Sequence, residues 1–304
     1  MLKFLLCSTL LITSLSYAQS DLEKAVNLEL NNEYPHFGLM VFESNKVLFT
    51  SYLIDKRGKL ERQSGAPVLG VYEGALSSNG TISNVNLLQI DEAIQKNGIT
   101  SAALSPNGEQ LFITMRYSSK DMPKGTFNPD NFHIRVGEYV SEVGWTNFTV
   151  LPFCDPKYSY AHPAFSKDGK TMYFTSNIRG GKETTKGGSD IFKVDVLDNN
   201  TFSEPKNMGP NVNSYSKEMF PFVSHSGDLY LASNRPNGFG GFDIYKCKNN
   251  NKGGFGKAEK LPKPINSAQD DFGFIILNDE KTCFFTSKRT DGKGDDDIYK
   301  FIIN

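Results

Sequence analysis

One pattern recurs five times along the 304 residues, and it restricts the fold more than any other feature of the chain. Residues 161–177 read AHPAFSKDGKTMYFTSN, residues 219–235 MFPFVSHSGDLYLASNR and residues 271–289 DFGFIILNDEKTCFFTSKR. Each is an apolar run, a polar turn and a second apolar run that closes on Ser and a polar residue. Looser copies occupy residues 36–52 and 100–116. Taking Ser51, Met115, Ser176, Ser233 and Ser287 as equivalent points gives spacings of 64, 61, 57 and 54 residues. Self-similarity at such a period marks a repeat architecture whose units bury one another's faces.

The segments are rich in aromatic and β-branched residues, and Pro106-Asn107-Gly108, Lys167-Asp168-Gly169 and Ser226-Gly227-Asp228 are hairpin signals between them. Behind each strong copy come a glycine-rich connection and a third apolar segment, GGSDIFKVDV, GGFDIYKCK or GDDDIYKFII, and then a fourth, as in FSEPKNMG and FGKAEKLP. Only residues 22–30 and 90–96 are helix candidates. The reading is all-β: a five-bladed β-propeller of four-stranded antiparallel blades at about residues 36–90, 99–152, 161–209, 218–263 and 271–304. The last unit ends after its third strand, and residues 24–30 are predicted to supply the fourth and close the ring.

Composition narrows the function. Lys and Arg number 33 against 34 Asp and Glu, a formal charge of -1, which argues against a nucleic-acid partner held by charge. Residues 1–18 have the form of a secretory signal, with Lys3, an apolar stretch over 4–15 and Ser16-Tyr17-Ala18 before Gln19. Cys7 lies inside that stretch, so a lipid anchor on it is not expected. No run approaches the roughly 18 apolar residues of a membrane span. The expectation is an exported, non-transmembrane domain over residues 19–304, periplasmic or outer-membrane-associated. Cys154, Cys247 and Cys283 remain beyond the signal, an odd number that describes no disulfide framework. They read as small buried hydrophobes, with a Cys247–Cys283 bridge as the alternative.

The turn Ser-x-Asp-Gly-Lys, the strand ending Phe-x-Ser-Asn-Arg and the following Gly-Gly-x-Asp-Ile-Tyr resemble the TolB-type, WD-like propeller repeat. The match is good over residues 162–195, 220–247 and 272–301. SNRPNGFGGFDIY, LPKPINSAQDDFGF and GKGDDDIY are more narrowly similar to the propeller region that precedes peptidoglycan-binding OmpA-type domains in exported proteins of some Gram-negative bacteria. No OmpA-type segment is read in this sequence, so direct peptidoglycan anchoring is not expected. The resemblance implies a non-catalytic propeller that binds an envelope protein partner, within a peptidoglycan-associated assembly in one form.

The repeat leaves few residues over for chemistry. Arg179 with Asp190, Arg235 with Asp243 and Arg289 with Asp297 stand at similar offsets and suit charge-assisted ties between second and third strands; a ligand-facing Arg ring is the other reading. Gly187-Gly188, Gly240-Gly241 and Gly292/Gly294 are expected to supply positive φ in the connections. Asp295-Asp296-Asp297 offers three carboxylates but lacks EF-hand spacing, and reads as a solvated turn with one Arg-paired Asp before it reads as a calcium site. Alignment of the units puts Glu33, His36, His162, Glu218, Asp270 and Asp271 at the start of the innermost strands, around one mouth of the channel. Three readings fit these six: a solvated rim, partner or ligand recognition, or an acid/base pair of Glu218 with Asp270 or Asp271 in a carbohydrate-active propeller.

Other chemistries find no residues. The four histidines form no HExxH, no Gly-x-Ser-x-Gly elbow or phosphate loop occurs, and the single Trp145 does not suit sialidase Asp-boxes. No cofactor and no metal are expected. The loops at 118–132 and 182–186 are the longest polar insertions, read equally as specificity loops or as neutral length.

Overall fold

A computed structural model describes residues 24–43, 45–117, 128, 130–197 and 201–303. The signal-like residues 1–18 and most of the 118–132 loop lie outside the described residues. Five four-stranded antiparallel sheets follow one another along the chain and form a five-bladed β-propeller. The first runs Phe37–Phe42, Lys46–Tyr52, Leu69–Leu76 and Ile82–Leu87; the second Ile99–Leu104, Gln110–Arg116, Phe132–Val140 and Gly144–Val150. The third is Tyr160–Phe165, Thr171–Ser176, Asp190–Asp195 and Lys206–Asn207; the fourth Glu218–Val223, Leu229–Ser233, Asp243–Cys247 and Glu259–Lys260. The fifth is Asp271–Ile276, Thr282–Ser287 and Asp297–Ile302, completed by Val26–Asn27, which pairs Val26 with Lys300 and Asn27 with Tyr299. Of the two helix candidates, only Glu92–Gln95 forms a helical turn, capped by Asp91.

The second strand of each blade explains why strict alternation is missing from the sequence. Val47–Ser51, Leu111–Met115, Met172–Ser176, Leu229–Ser233 and Cys283–Ser287 are buried at successive positions, hence on both faces. Successive side chains enter the two different seams beside the blade. Leu48 packs with Leu111 and Ile113 of the next blade, whereas Val47 and Phe49 pack with Phe284 and Ile298 of the fifth. Three further clusters fill the remaining seams.

The hairpin turns are built alike. Gly108 N donates to Ser105 O at 2.8 Å, Gly169 N to Ser166 O at 2.9 Å and Gly227 N to Ser224 O at 2.9 Å. The fourth strands of the third and fourth blades have only two residues each, and an asparagine extends them. Asn213 presents Oδ1 to Ile191 N (2.8 Å) and Nδ2 to Ile191 O (2.9 Å), imitating a strand backbone. Asn266 does the same to Ile244 and Asn31 to Ile298.

One expectation is corrected. Gly187, Gly240 and Gly294 are not at positive φ; they are needed for close approach. A Cβ on Gly187 would lie 1.7 Å from Ser216 O, on Gly240 2.5 Å from Ala268 C and on Gly294 2.4 Å from Asn32 O. In every case the obstacle is the backbone entering the next blade. The cysteines are free, with Cys247 and Cys283 buried in the fourth and fifth blades, and burial pushes each of their thiols up to about 12. Gly187→Ala is therefore expected to cost about 1–3 kcal/mol or more through forced separation of the third and fourth blades. An unchanged urea midpoint would refute that account of the glycine.

Candidate functional site

The five innermost strands run parallel around the channel, so their starts define one mouth and their hairpins the other. A bulge interrupts every one of them near its second or third residue. Gly38, His162, Phe220 and Gly273 occupy equivalent bulge positions and all have φ between 50° and 66°. Glycine adopts that conformation freely, while His162 and Phe220 hold it at a cost of about 1–3 kcal/mol each. Their rings stack at 3.7 Å, Phe220 meets Phe272 at 4.9 Å and Phe272 meets Phe37 at 6.3 Å. This aromatic chain passes from the third blade through the fourth and fifth to the first, around the channel near the strand starts. His162 therefore lines the channel interior and not the rim, and burial lowers its pKa to about 3, so its ring is neutral above that pH.

Glu218 and Asp271, two of the acids in the expected catalytic pair, are fully buried inside their blades. Glu218 accepts from Ser214 N and Oγ, from Ser233 Oγ at 2.7 Å and from Arg235 at 3.2 Å. Asp271 accepts from Ser267 N and Oγ and from Arg289 at 3.4 Å. Burial pushes the Asp271 carboxyl up, opposed by its serine and arginine donors. These are matching clamps that tie innermost strand to second strand. The arginines thus reach back to the first strand and not forward to the third-strand aspartates. Arg235 and Arg289 also lie over Tyr245 and Tyr299 at 4.5 and 4.9 Å.

The third-strand aspartates instead hold the glycine-rich connections. Asp243 accepts from Phe239 N at 2.8 Å, Asp190 from Lys186 N at 3.1 Å, and Asp297 from Gly294 N at 3.2 Å and from Asn27 at 2.7 Å. In the third blade no acid among the described residues faces Arg179, because Tyr160 stands where Glu218 and Asp271 stand; its guanidinium binds Thr185 O and Gly187 O at 3.0 and 2.6 Å. That contact also pins the 182–186 loop, where Glu183 accepts from Asn207 N at 2.7 Å.

What remains at the strand-start mouth is a smaller acidic group on the fifth blade. Asp270 is half-buried and receives Phe242 N at 2.8 Å through one carboxylate oxygen. Lys288 forms an ion pair with Asp295, and its backbone N–H reaches Asp270 O. Asp296 lies within electrostatic reach of Asp295, Lys288 and Asp270, and its pKa is raised to about 6, first by burial and then by Asp295. The three consecutive aspartates therefore have three different tasks, and among the described residues no group of acids, His or Cys is arranged to hold a metal ion. His36 is buried, its Nδ1 2.9 Å from Tyr34 O and its backbone N–H on Asp296 O at 2.7 Å; burial lowers its pKa. Glu33 is exposed beside it.

Sequence reasoning gathered these six residues into one rim. The structure keeps Glu33, His36 and Asp270 at the mouth, sinks Glu218 and Asp271 into clamps and puts His162 in the channel. It adds Asp296, whose signal was present: the residue before the third-strand aspartate is Ser189 or Phe242 in the preceding blades.

No family model and no curated protein matches the chain. Solved structures do. A GH43 β-xylosidase/α-arabinofuranosidase from a compost microbial metagenome is 13% identical, with 92% of this chain and 94% of that one covered and a TM-score of 0.50. A Hadza microbial sialidase is 12% identical over 94% of this chain and 57% of that one, at a TM-score of 0.51. A prolyl endopeptidase is 14% identical over 82% and 30%, at 0.41. The chain thus spans less than two thirds of the sialidase and of the endopeptidase. Likeness at these identities is likeness of fold. The expectation of a non-catalytic protein-binding scaffold is corrected by what these matches are: the two at a TM-score of 0.50 or above are a β-xylosidase/α-arabinofuranosidase and a sialidase.

Two outcomes test the electrostatics. Arg235→Met strands the buried Glu218 and is expected to cost about 3–5 kcal/mol, against about 1–2 kcal/mol for Arg179→Met, which loses hydrogen bonds to the uncharged carbonyls of Thr185 and Gly187. Equal losses in denaturant unfolding would show that the clamp is not ionic. Because the folded-state pKa of Asp296 exceeds its ordinary 3.8, the folded protein holds a proton that the unfolded chain releases, and stability falls as pH rises from about 4 to about 6. Asp296→Asn removes that fall and melts higher than the parent above pH 6; a variant that melts lower across the range contradicts the assignment.

Proposed function

We propose that the chain is a carbohydrate-active propeller whose chemistry lies at the strand-start mouth, with Asp296 as general acid and Asp270 as the second carboxylate. The observation that carries this reading is the pair itself. A carboxyl held protonated up to about pH 6 stands within electrostatic reach of a half-buried carboxylate that keeps one oxygen uncommitted to its hydrogen bond with Phe242. Glycoside hydrolysis requires such an unequal pair. Asp296 gives its proton to the leaving-group oxygen while Asp270 takes one from the attacking water, and the glycosidic C–O bond is exchanged for a C–OH bond. Lys288 and Asp295 neutralise each other beside the pair, which keeps Asp296 from being drawn into an ion pair of its own. Xylosides, arabinofuranosides and sialosides are the substrates to test first, because they are named for the matched propellers. On its motifs alone we also assign the repeat to the TolB-like type and the chain to the extracytoplasmic side of the envelope, where such glycans are accessible.

The test is hydrolysis of 4-nitrophenyl glycosides across pH. The parent is expected to lose kcat/KM as pH rises through about 6, the value at which Asp296 loses its proton. Asp296→Asn is expected to lower kcat about 10²–10⁴-fold, with a smaller loss on substrates whose leaving group needs no protonation. Absence of turnover on the whole panel, or an alkaline limb unmoved by Asp296→Asn, would sink the proposal.

A further inference from the structure

A cavity lies at the other end of the channel. It has a volume of about 590 Å³, begins at His162 and Phe220 and opens among the hairpins of the innermost strands. That size is within the range of sites that enclose a small ligand, and such sites combine an apolar wall with a few placed polar groups. The wall is mostly apolar, with Phe42, Phe165 and Phe222 partly exposed and the small Ala102 and Ala164 leaving room, while Ser101, Ser166 and Ser224 add hydroxyls. Apolar area left in water costs about 25 cal/mol per Å², so an apolar body is what the wall favours. The floor adds a second observation. His162 and Phe220 are held in strained backbone conformations where the fold uses glycine twice, and the result is a flat stacked surface at the end of the cavity.

The mouth selects the head group. Among the pocket-lining carboxylates, Glu43 pairs with Lys46 at 2.6 Å, and Asp279 is occupied by Lys281 N, Thr282 N and Thr282 Oγ1. Just outside, Glu280 accepts from Ser226 N, and Asp168 from Ser166 Oγ and Lys170 N. Lys167 is different. Its ammonium lies 3.0 Å from His225 Nε2, a bond that takes the imidazole as acceptor and leaves the lysine charge without a carboxylate among the described residues. The geometry points to a binding site for an anionic amphiphile, with its apolar body in the channel against the His162–Phe220 floor and its carboxylate on Lys167 beside His225. This site is separate from the acidic mouth, which lies beyond the aromatic chain.

Calorimetric titration of the full chain with dodecanoate below its micelle concentration tests this, with dodecyl maltoside and butanoate as ligands that lack the charge and the body. Saturable one-to-one binding of dodecanoate, at least tenfold tighter than either comparison ligand, is expected. Lys167→Glu should weaken it at least tenfold, and Ala164→Trp should abolish it by filling the channel while the circular dichroism stays that of the parent. If Ala164→Trp fails to fold, Lys167→Glu, an exposed change, carries the test alone. Asp296→Asn should bind as the parent does, which separates this site from the proposed hydrolytic one. Absent or non-saturable binding, equal affinity for dodecyl maltoside, or an unaffected Lys167→Glu would each overturn the proposal.

Discussion

Everything in this molecule depends on the second strand of each blade being buried on both faces. A blade alone would expose those side chains on both faces, since Val47 and Leu48, or Phe284 and Phe285, serve different seams. Stability is therefore a property of the closed ring, and closure is made by Val26 and Asn27 against the last strand, extended by Leu28 and Asn31 on Ile298. Asn27 does more than pair, because its side chain also donates to Asp297, the residue that shapes the loop beside the acidic mouth. Ring closure and the arrangement of that mouth are thus one structural event.

The chain treats its repeat in two ways. Where the position maintains the seam it is held: Ser214 and Ser267 beneath the clamped acids, Asn213, Asn266 and Asn31 on the neighbouring strand, and glycine where the next blade's backbone passes. Where the position faces a mouth it departs. Asp296 replaces Ser189 and Phe242, Asp270 replaces Ser159 and Lys217, and His162 and Phe220 replace Gly38 and Gly273. Departures that cost energy locally, by strain or by a poorly solvated carboxyl, are those that a fold alone does not explain.

Much of the architecture was legible because hairpin chemistry and strand composition are local. Ser-x-Asp-Gly turns, five equivalent serine or methionine points and a missing last strand sufficed for blade number and for closure. The partners were not legible, because spacing along the chain does not say to which side an arginine bends. Arg235 and Asp243 are eight residues apart, yet Arg235 turns back toward Glu218, while Asp243, equally buried, takes the backbone N–H groups of Phe239 and Gly240. The same limit misread the glycines: sequence shows that no side chain is present, and only the neighbouring blade shows why. Glu218 and Asp271 looked like a rim because they begin strands, but the bulge after them turns the next residues to the channel and draws these inward.

The aromatic chain from Phe37 to His162 has a consequence for both mouths. Asp296 owes its raised pKa chiefly to poor solvation, and a channel open to water along its length would hydrate the strand-start end from below. Rings stacked between the two ends narrow that path and leave a mostly apolar cavity on the far side. The strain in His162 and Phe220 follows from the same need, because a glycine at either position would supply no ring. One device therefore separates a mouth suited to proton transfer from a cavity suited to an apolar body, and it does so with side chains that the propeller itself requires only as backbone.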